Sequence, residues 1–247
     1  MMATSFWIGI RSVGRPHMIS ALTSVYHQAS SVDGIVIVGK LDDLSKSIVK
    51  ELRRRMRVIC DEGDYDLGTA TLKLIELLRY KDLVLFVDDD VLWKNSDVVN
   101  VHALLEEAGV VSVLPRQENV SDEWIKRWEK TKVVELHFSM WRGEILKRMW
   151  DGHYKALHML ELYKYGGEFF HLTWMLRNMG VERVCIGYRD GPYHMFLIDN
   201  NSVWRKATLW EWAIFGKEMK AARNLLDVDK AVCKWNVRME RRTNARG

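Results

Sequence analysis

A chain of 247 residues with 48% hydrophobic side chains can form one well-packed core, or at most two small domains. Charged residues at 28% exclude a disordered chain, and a net charge of +4 is too small to point to nucleic acid. The charge is uneven, however: residues 200–247 carry 11 Lys/Arg against 5 Asp/Glu, which leaves the first 199 residues at −2. Cys60, Cys185 and Cys233 are an odd set, far apart in sequence. That argues against a disulfide framework and a Cys-rich zinc site and fits a reducing, cytoplasmic setting. No apolar run approaches the ~20 residues that span a bilayer. MMATSFWIGIRSVGR has too short an apolar patch for a signal peptide. No internal repeat is visible.

The first half alternates cleanly. Ser5–Ile10 reads as a strand, and Pro16 can open a helix that carries Met18, Leu22, Val25 and Ala29. Gly34–Gly39 is a second buried strand. Asp42 or Asp43 caps a helix with Leu44, Ile48, Leu52 and Met56 on one face. Arg57–Cys60 is a short third strand. Thr69 or Thr71 starts the next helix, LVLFV is the fourth strand, and Asp97 caps a helix leading to Val110–Leu114. This order predicts an α/β domain with a mostly parallel central sheet flanked by helices. The second half is less regular. Val133–Phe138, Glu182–Gly187 and Tyr193–Ile198 read as strands, residues 142–164 and 168–179 as helices, and the chain from about Val203 as a helical extension. No linker separates the halves. Residues 1–200 are expected to form one domain, with a 1–115 half and a 116–200 half, followed by the basic 201–247 extension.

LVLFVDDDVLW places three aspartates, Asp88, Asp89 and Asp90, at the carboxyl end of the fourth strand. In α/β sheets that is the rim where ligands bind. Neighbouring carboxylates ~5 Å apart at an effective dielectric near 20 repel by roughly 3 kcal/mol per pair. A divalent cation offsets two of them at once. Hard oxygen ligands suit Mg²⁺ or Mn²⁺, above all beside a diphosphate. The structural alternative is a solvated turn before the helix. Transfer from a nucleotide-sugar uses such a site, because the cation bridges carboxylate and diphosphate while a base deprotonates the acceptor.

Three stretches carry a family resemblance. WIGIRSVGRPHMISALTSVYHQ resembles the opening strand, "N-R-P" turn and helix of GT-A fold glycosyltransferases with family-2-like sequences. DYDLGTATLKLIELLRYKDLVLFVDDD resembles their "N-x-G" loop, helix and D-x-D strand, and YGGEFFHLTWMLRNMG their "G-E-D" helix. The likeness covers roughly residues 5–195. It implies a metal-dependent, inverting transfer from a UDP- or GDP-sugar to an unidentified hydroxyl acceptor. It also implies roles. Asp90 matches the metal-binding carboxylate, and Asp88 and Asp89 match positions shared between ribose and metal. His194 matches a C-terminal metal histidine. Arg11, Ser12 and Val13 match the turn along the nucleotide, Asp66 and Gly68 the loop beside base and ribose, and Lys73 a basic residue near the diphosphate. Glu168 stands in the "E-D" motif as the candidate base, with Asp151 and His171 as rivals.

Two departures stand out. Phe169 occupies the place of the family's catalytic Asp, and Gly39-Lys40 stand where an acidic residue usually ends the second strand. A nucleotidyltransferase with a similar sheet would want a Gly-rich, Arg- or Lys-bearing loop after the first strand, and RSVGRPH with its single Gly fits that poorly. Two further rival readings follow. DDDVLW also resembles the D-x-D nucleophile of haloacid-dehalogenase-type phosphatases, with Asp88 and Asp90 in the active roles. A degenerate transferase that docks on membrane or nucleic acid through its basic tail is the non-enzyme reading. Nucleic acid is not the expected partner. The tail, with Trp204, Trp210, Trp212 and Trp235, is read either as a helical flap whose aromatic face packs on the domain or as a peripheral contact with an anionic membrane.

Overall fold

The structure is a computed structural model and describes residues 5–13, 18–115, 121–187, 191–194 and 209–244. The chain forms β1 (Phe6–Val13), α1 (Met18–His27), β2 (Gly34–Lys40), α2 (Asp43–Leu52), β3 (Arg57–Glu62) and α3 (Leu67–Leu78). Then come β4 (Leu83–Asp88), β5 (Val91–Leu92), α4 (Asn95–Leu104), β6 (Val110–Leu114), α5 (Asp122–Thr131) and β7 (Phe138–Arg142). α6 (Gly143–Gly152), α7 (Tyr154–His158), α8 (Glu168–Asn178), β8 (Arg183–Gly187), β9 (Tyr193–His194), α9 (Leu209–Ala221) and α10 (Leu225–Asn244) complete it.

Seven strands make one sheet in the order β3-β2-β1-β4-β7-β6-β8, with β7 antiparallel to both neighbours and the other pairings parallel. β5 and β9 form a separate two-stranded ribbon beside the rim. The parallel strands are near-continuous apolar runs because both faces are covered. Their alternation splits the core. Ile8, Ile10, Ile35, Ile37, Leu85 and Val87 face α1 and α4, whereas Trp7, Val36, Val38, Val84 and Phe86 face α3 and the later helices.

Local chemistry set several of the helix starts. Asp42 caps α2 by accepting from the Ser45 amide at 2.6 Å, and Asp66 caps α3 by accepting from the Thr69 amide at 2.7 Å. α3 therefore begins two residues before the expected Thr69. α4 begins at Asn95, so Asp97 lies inside its first turn and reaches back to the Lys94 amide at 2.8 Å. β1 runs on through Val13, and Arg11, Ser12 and Val13 are strand residues rather than a turn.

The second half departs further from expectation. The strand predicted at Val133–Phe138 begins only at Phe138, because β7 has to match β4 at Val87 and β6 at Ser112. The preceding segment uses other partners. The Glu135 amide donates to Ser112 Oγ at 2.9 Å, and that hydroxyl donates back to the Glu135 carbonyl at 3.0 Å. The helix expected over 142–164 is broken after Gly152, and its last piece, Met159–Leu162, is a tighter 3₁₀ turn. Of the predicted strand at Tyr193–Ile198, only Tyr193 and His194 are described.

α9 and α10 turn Trp212, Phe215 and Trp235 inward, whereas Trp210 of α9 is exposed. Trp212, Phe215 and Trp235 join the core cluster, and Phe215 and Trp235 stack at 4.8 Å. The aromatic side of the extension thus packs on the domain. Trp204 lies outside the described residues. No described helix is long and apolar enough to cross a membrane.

Candidate functional site

Arg11 and Asp88 face each other across β1 and β4 in direct register. By strand alternation both continue the apolar row of Trp7 and of Val84 and Phe86, so a cation and an anion end up inside the core face. Neither is tolerable there alone. Arg11 Nε donates to Asp88 Oδ1 at 2.6 Å, and Nη2 donates to Oδ2 at 3.2 Å. The other guanidinium nitrogen, Nη1, donates to Thr71 Oγ1 of α3 at 3.0 Å and to Glu168 Oε1 at the start of α8. On its far side, Asp88 Oδ2 also accepts from His137 Nδ1, and His137 Nε2 lies 3.0 Å from Glu135 Oε2. The result is a buried chain of alternating charge, Glu168–Arg11–Asp88–His137–Glu135, that crosses the carboxyl rim from α8 to the strand before β7.

Electrostatics follow from this geometry. Burial alone would discharge the His137 ring, but the Asp88 and Glu135 carboxylates on its two nitrogens hold the imidazolium well above its ordinary pKa. Burial likewise opposes the Asp88 carboxylate, and Arg11 and His137 overcome it and hold Asp88 well below the usual carboxylate range. Arg11 is buried, yet Asp88 and Glu168 keep it charged.

The other two aspartates lie alongside. Ser12 Oγ donates to Asp89 Oδ2 at 3.0 Å, and both Asp89 and Asp90 are buried. The β5–β9 ribbon pairs Val91 with His194, which brings the backbone of His194 next to the residue that follows Asp90. Arg11, Ser12, Asp88, Asp89, Asp90 and the His194 backbone are therefore assembled at one rim.

The remaining predicted residues do other work. Asp66 serves as the α3 cap. Gly68 lets α3 approach closely: a Cβ there would lie 2.0 Å from the Leu160 carbonyl oxygen. Lys73 pairs with Asp61 at 2.9 Å and lies over the Tyr65 ring, on the open edge of the sheet. Val13 pairs with Lys40 along β2.

Glu168 is only 2% exposed. Its Oε1 meets Arg11, while Oε2 is buried without a hydrogen-bond partner among the described residues. It is aimed by the Gly166–Gly167 turn, where both residues have positive φ, at 76° and 94°. A Cβ on Gly167 would also lie 2.7 Å from Phe215, and Trp235 Nε1 donates to the Gly166 carbonyl at 3.1 Å. The C-terminal helices thus fix the turn that presents Glu168. Phe169 packs against Phe170 and Trp212. Of the rival bases, His171 is fully buried, donates through Nε2 to the Ala156 carbonyl and has its pKa pushed down to about 4 by burial. Asp151 is an exposed residue at the end of α6.

Sequence reasoning missed Thr71, Glu135 and His137. The one available signal was E-L-H, whose i, i+2 spacing puts two titratable groups on one side of an extended segment.

No family model and no curated protein matches the chain. Solved structures do. A mannosyltransferase, PcManGT from Pyrobaculum calidifontis, solved with GDP-Man and Mn²⁺, aligns over 96% of this chain and 70% of its own, with TM-score 0.61 and 13% identity. TarS residues 1–349 from S. aureus align over 95% of this chain and 71% of that one, with TM-score 0.53 and 12% identity. The chain has the GT-A fold. A 4-diphosphocytidyl-2C-methyl-D-erythritol synthase from Anaerococcus prevotii also aligns, over 80% of this chain and 92% of its own, with TM-score 0.51 and 10% identity.

Proposed function

We propose that this GT-A protein is a glycosyltransferase that moves a sugar from a nucleoside-diphosphate sugar to a hydroxyl acceptor, with inversion and with help from Mn²⁺ or Mg²⁺. The observation that carries the reading is the assembly of Asp88, Asp89 and Asp90 with Arg11 and Ser12 at the carboxyl rim. The mannosyltransferase of the same fold, solved with GDP-Man and Mn²⁺, supports it.

Among the described residues, no three His, Cys, Asp or Glu side chains converge as a ready-made cation site. The donor set nevertheless fits a hard cation that shares its shell with a diphosphate. Asp90 and Asp89 are buried carboxylates at the rim, and His194 is next to them by strand pairing. Asp88 is engaged elsewhere, since Oδ2 accepts from both Arg11 and His137. A cation held by Asp90 and Asp89 would neutralise the leaving nucleoside diphosphate. Arg11 keeps Asp88 ionised and oriented, and Ser12 orients Asp89. Lys73 and Asp66 supply the edge along which a nucleotide could lie.

Glu168 is the proton acceptor in this reading. Its Oε1 is anchored by Arg11, and its partnerless Oε2 is the atom that an acceptor hydroxyl would satisfy. Thermal shift with nucleoside diphosphates, with and without Mn²⁺, tests the donor site. Metal-dependent stabilisation that disappears in Asp90→Ala is expected, and no nucleotide effect at saturating metal would end the transferase reading. Glu168→Gln should keep donor binding and lose turnover. Persistent turnover would leave Glu168 with only its hold on Arg11.

The likeness to the diphosphocytidyl synthase keeps one second reading, nucleotidyl transfer on the same fold. The product decides: a nucleoside diphosphate is released by sugar transfer, and pyrophosphate by nucleotidyl transfer.

A further inference from the structure

α10 is amphipathic in an unusual sense. Its inner side, Val228, Ala231, Val232, Trp235 and Met239, is core. Its outer stripe, at the spacing of one helical face, is Leu226, Lys230, Cys233, Lys234, Val237 and Arg241. The last turns of this stripe line a groove of about 590 Å³ formed by Lys234, Arg238, Arg241, Arg242, Val237 and Cys233. Among the described residues this lining holds four cations and no carboxylate. Carboxylates border it: Asp229 Oδ1 lies 3.8 Å from Cys233 Sγ, Glu218 lies 3.4 Å from Lys234, Glu211 of α9 lies 2.6 Å from Arg242, and Glu240 is exposed on the same helix.

Two large apolar side chains of the same stripe are exposed. Leu226 is 60% exposed and Val237 47%. Trp210 is 69% exposed and directly precedes Glu211, the residue that grips Arg242 at the end of the groove. A helix face that combines cations with protruding aliphatic and indole groups is costly in water. It matches the boundary of a bilayer, where ammonium and guanidinium groups reach lipid phosphates while Leu, Val and Trp enter the acyl edge. A nucleic-acid backbone would engage the cations and leave Leu226 and Val237 without a partner.

We propose that the outer face of α10, with Trp210, docks the protein on an anionic lipid surface. The inference stands apart from the transferase reading, since it needs no nucleotide. The test mixes the full chain with vesicles of phosphatidylcholine alone and with vesicles also containing phosphatidylglycerol, and reads the bound fraction by sedimentation. Binding is expected only to the anionic vesicles, falling steeply as salt is raised. A basic residue near such a surface contributes about 1 kcal/mol, so Lys234→Ser/Arg238→Ser/Arg241→Ser should lower partitioning about a hundredfold. Trp210→Ser/Val237→Ser should weaken binding several-fold without changing the salt slope. These side chains lie outside the core, and an unaltered circular dichroism spectrum checks the fold. The proposal is overturned if the anionic vesicles fail to retain the unmodified chain at low salt, or if the triple variant binds as well as the parent. Binding of inositol hexakisphosphate or single-stranded RNA with no retention on vesicles would also overturn it, and would reassign the groove to a soluble polyanion.

Discussion

Two ion-pair clusters built from the same chemistry sit on one carboxyl rim, and they differ in depth. Glu168–Arg11–Asp88–His137–Glu135 is sunk between β1, β4 and the segment before β7. Asp61–Lys73, with Tyr65 over it, lies at the open edge beside β3, where both ionic side chains are about one third exposed. Solvent screens the edge pair, so each partner survives the loss of the other. The buried chain has no such refuge. Each charge is tolerable only because the next one neutralises it, so the cluster acts as a single rigid unit. Under the proposed function, a rim that presents Asp89 and Asp90 in fixed positions gains that rigidity from Asp88, their immediate neighbour.

The sharpest way to break this contrast is Arg11→Met. It strands Asp88 and Glu168 without their cation and should cost about 3–5 kcal/mol, read as a lower urea midpoint at unchanged m-value. A loss below about 1 kcal/mol would mean the two clusters are energetically alike.

The pH dependence comes next. The folded pKa of His137 is raised, so its stabilisation is complete below the ordinary value of about 6.5 and fades as pH rises through the folded value. The folded pKa of Asp88 is lowered, so its stabilisation is complete above about 3.9 and fades as pH falls through the depressed value. Urea midpoints across pH should therefore show a plateau with an acid and an alkaline limb, and His137→Asn should remove the plateau's advantage and flatten the alkaline limb.

Trp235→Phe keeps most of the ring but removes the hydrogen bond to the Gly166 carbonyl. A cost of about 1–3 kcal/mol is expected for the carbonyl left without its donor. Turnover should fall while the nucleotide's thermal shift is kept, if the Gly166–Gly167 turn aims Glu168. The smallest effect belongs to the edge. Lys73→Ala should cost at most about 1 kcal/mol. A raised donor KM at that unchanged stability would tie Lys73 to the diphosphate, whereas unchanged kinetics would make it a surface pair only.

The two halves of the chain were not equally legible. From Phe6 to Leu114, strands, helices and the Asp42 cap follow from local periodicity and capping, and the aspartate triplet falls on the rim as its place after a buried strand requires. Boundaries slipped where tertiary contacts extended an element, as in β1, which runs to Val13 because β2 pairs with it that far, while β4 pairs only as far as Arg11. After residue 131 the decisive contacts are distant in sequence. β7 was placed by its register with β4 and β6 rather than by its own apolar pattern, so VVELHF reads as a strand while the strand lies at Phe138–Arg142. Glu135 and His137 were passed over for the same reason, since their meaning appears only when Asp88 arrives 49 residues away in sequence.

The sequence by itself determined the layered α/β architecture and the rim position of the three aspartates. Each of these rests on spacing along one element, which burial and helix or strand geometry translate directly into a face. Only the tertiary structure decided that Asp88 belongs to a buried charge chain, that Glu168 is anchored to Arg11, that Gly68 is a packing glycine and that Lys73 stands apart at the edge. Those outcomes depend on which charge meets which across the sheet. A charge removed from water is satisfied by whatever opposite charge the fold brings within reach, and no local pattern specifies that partner.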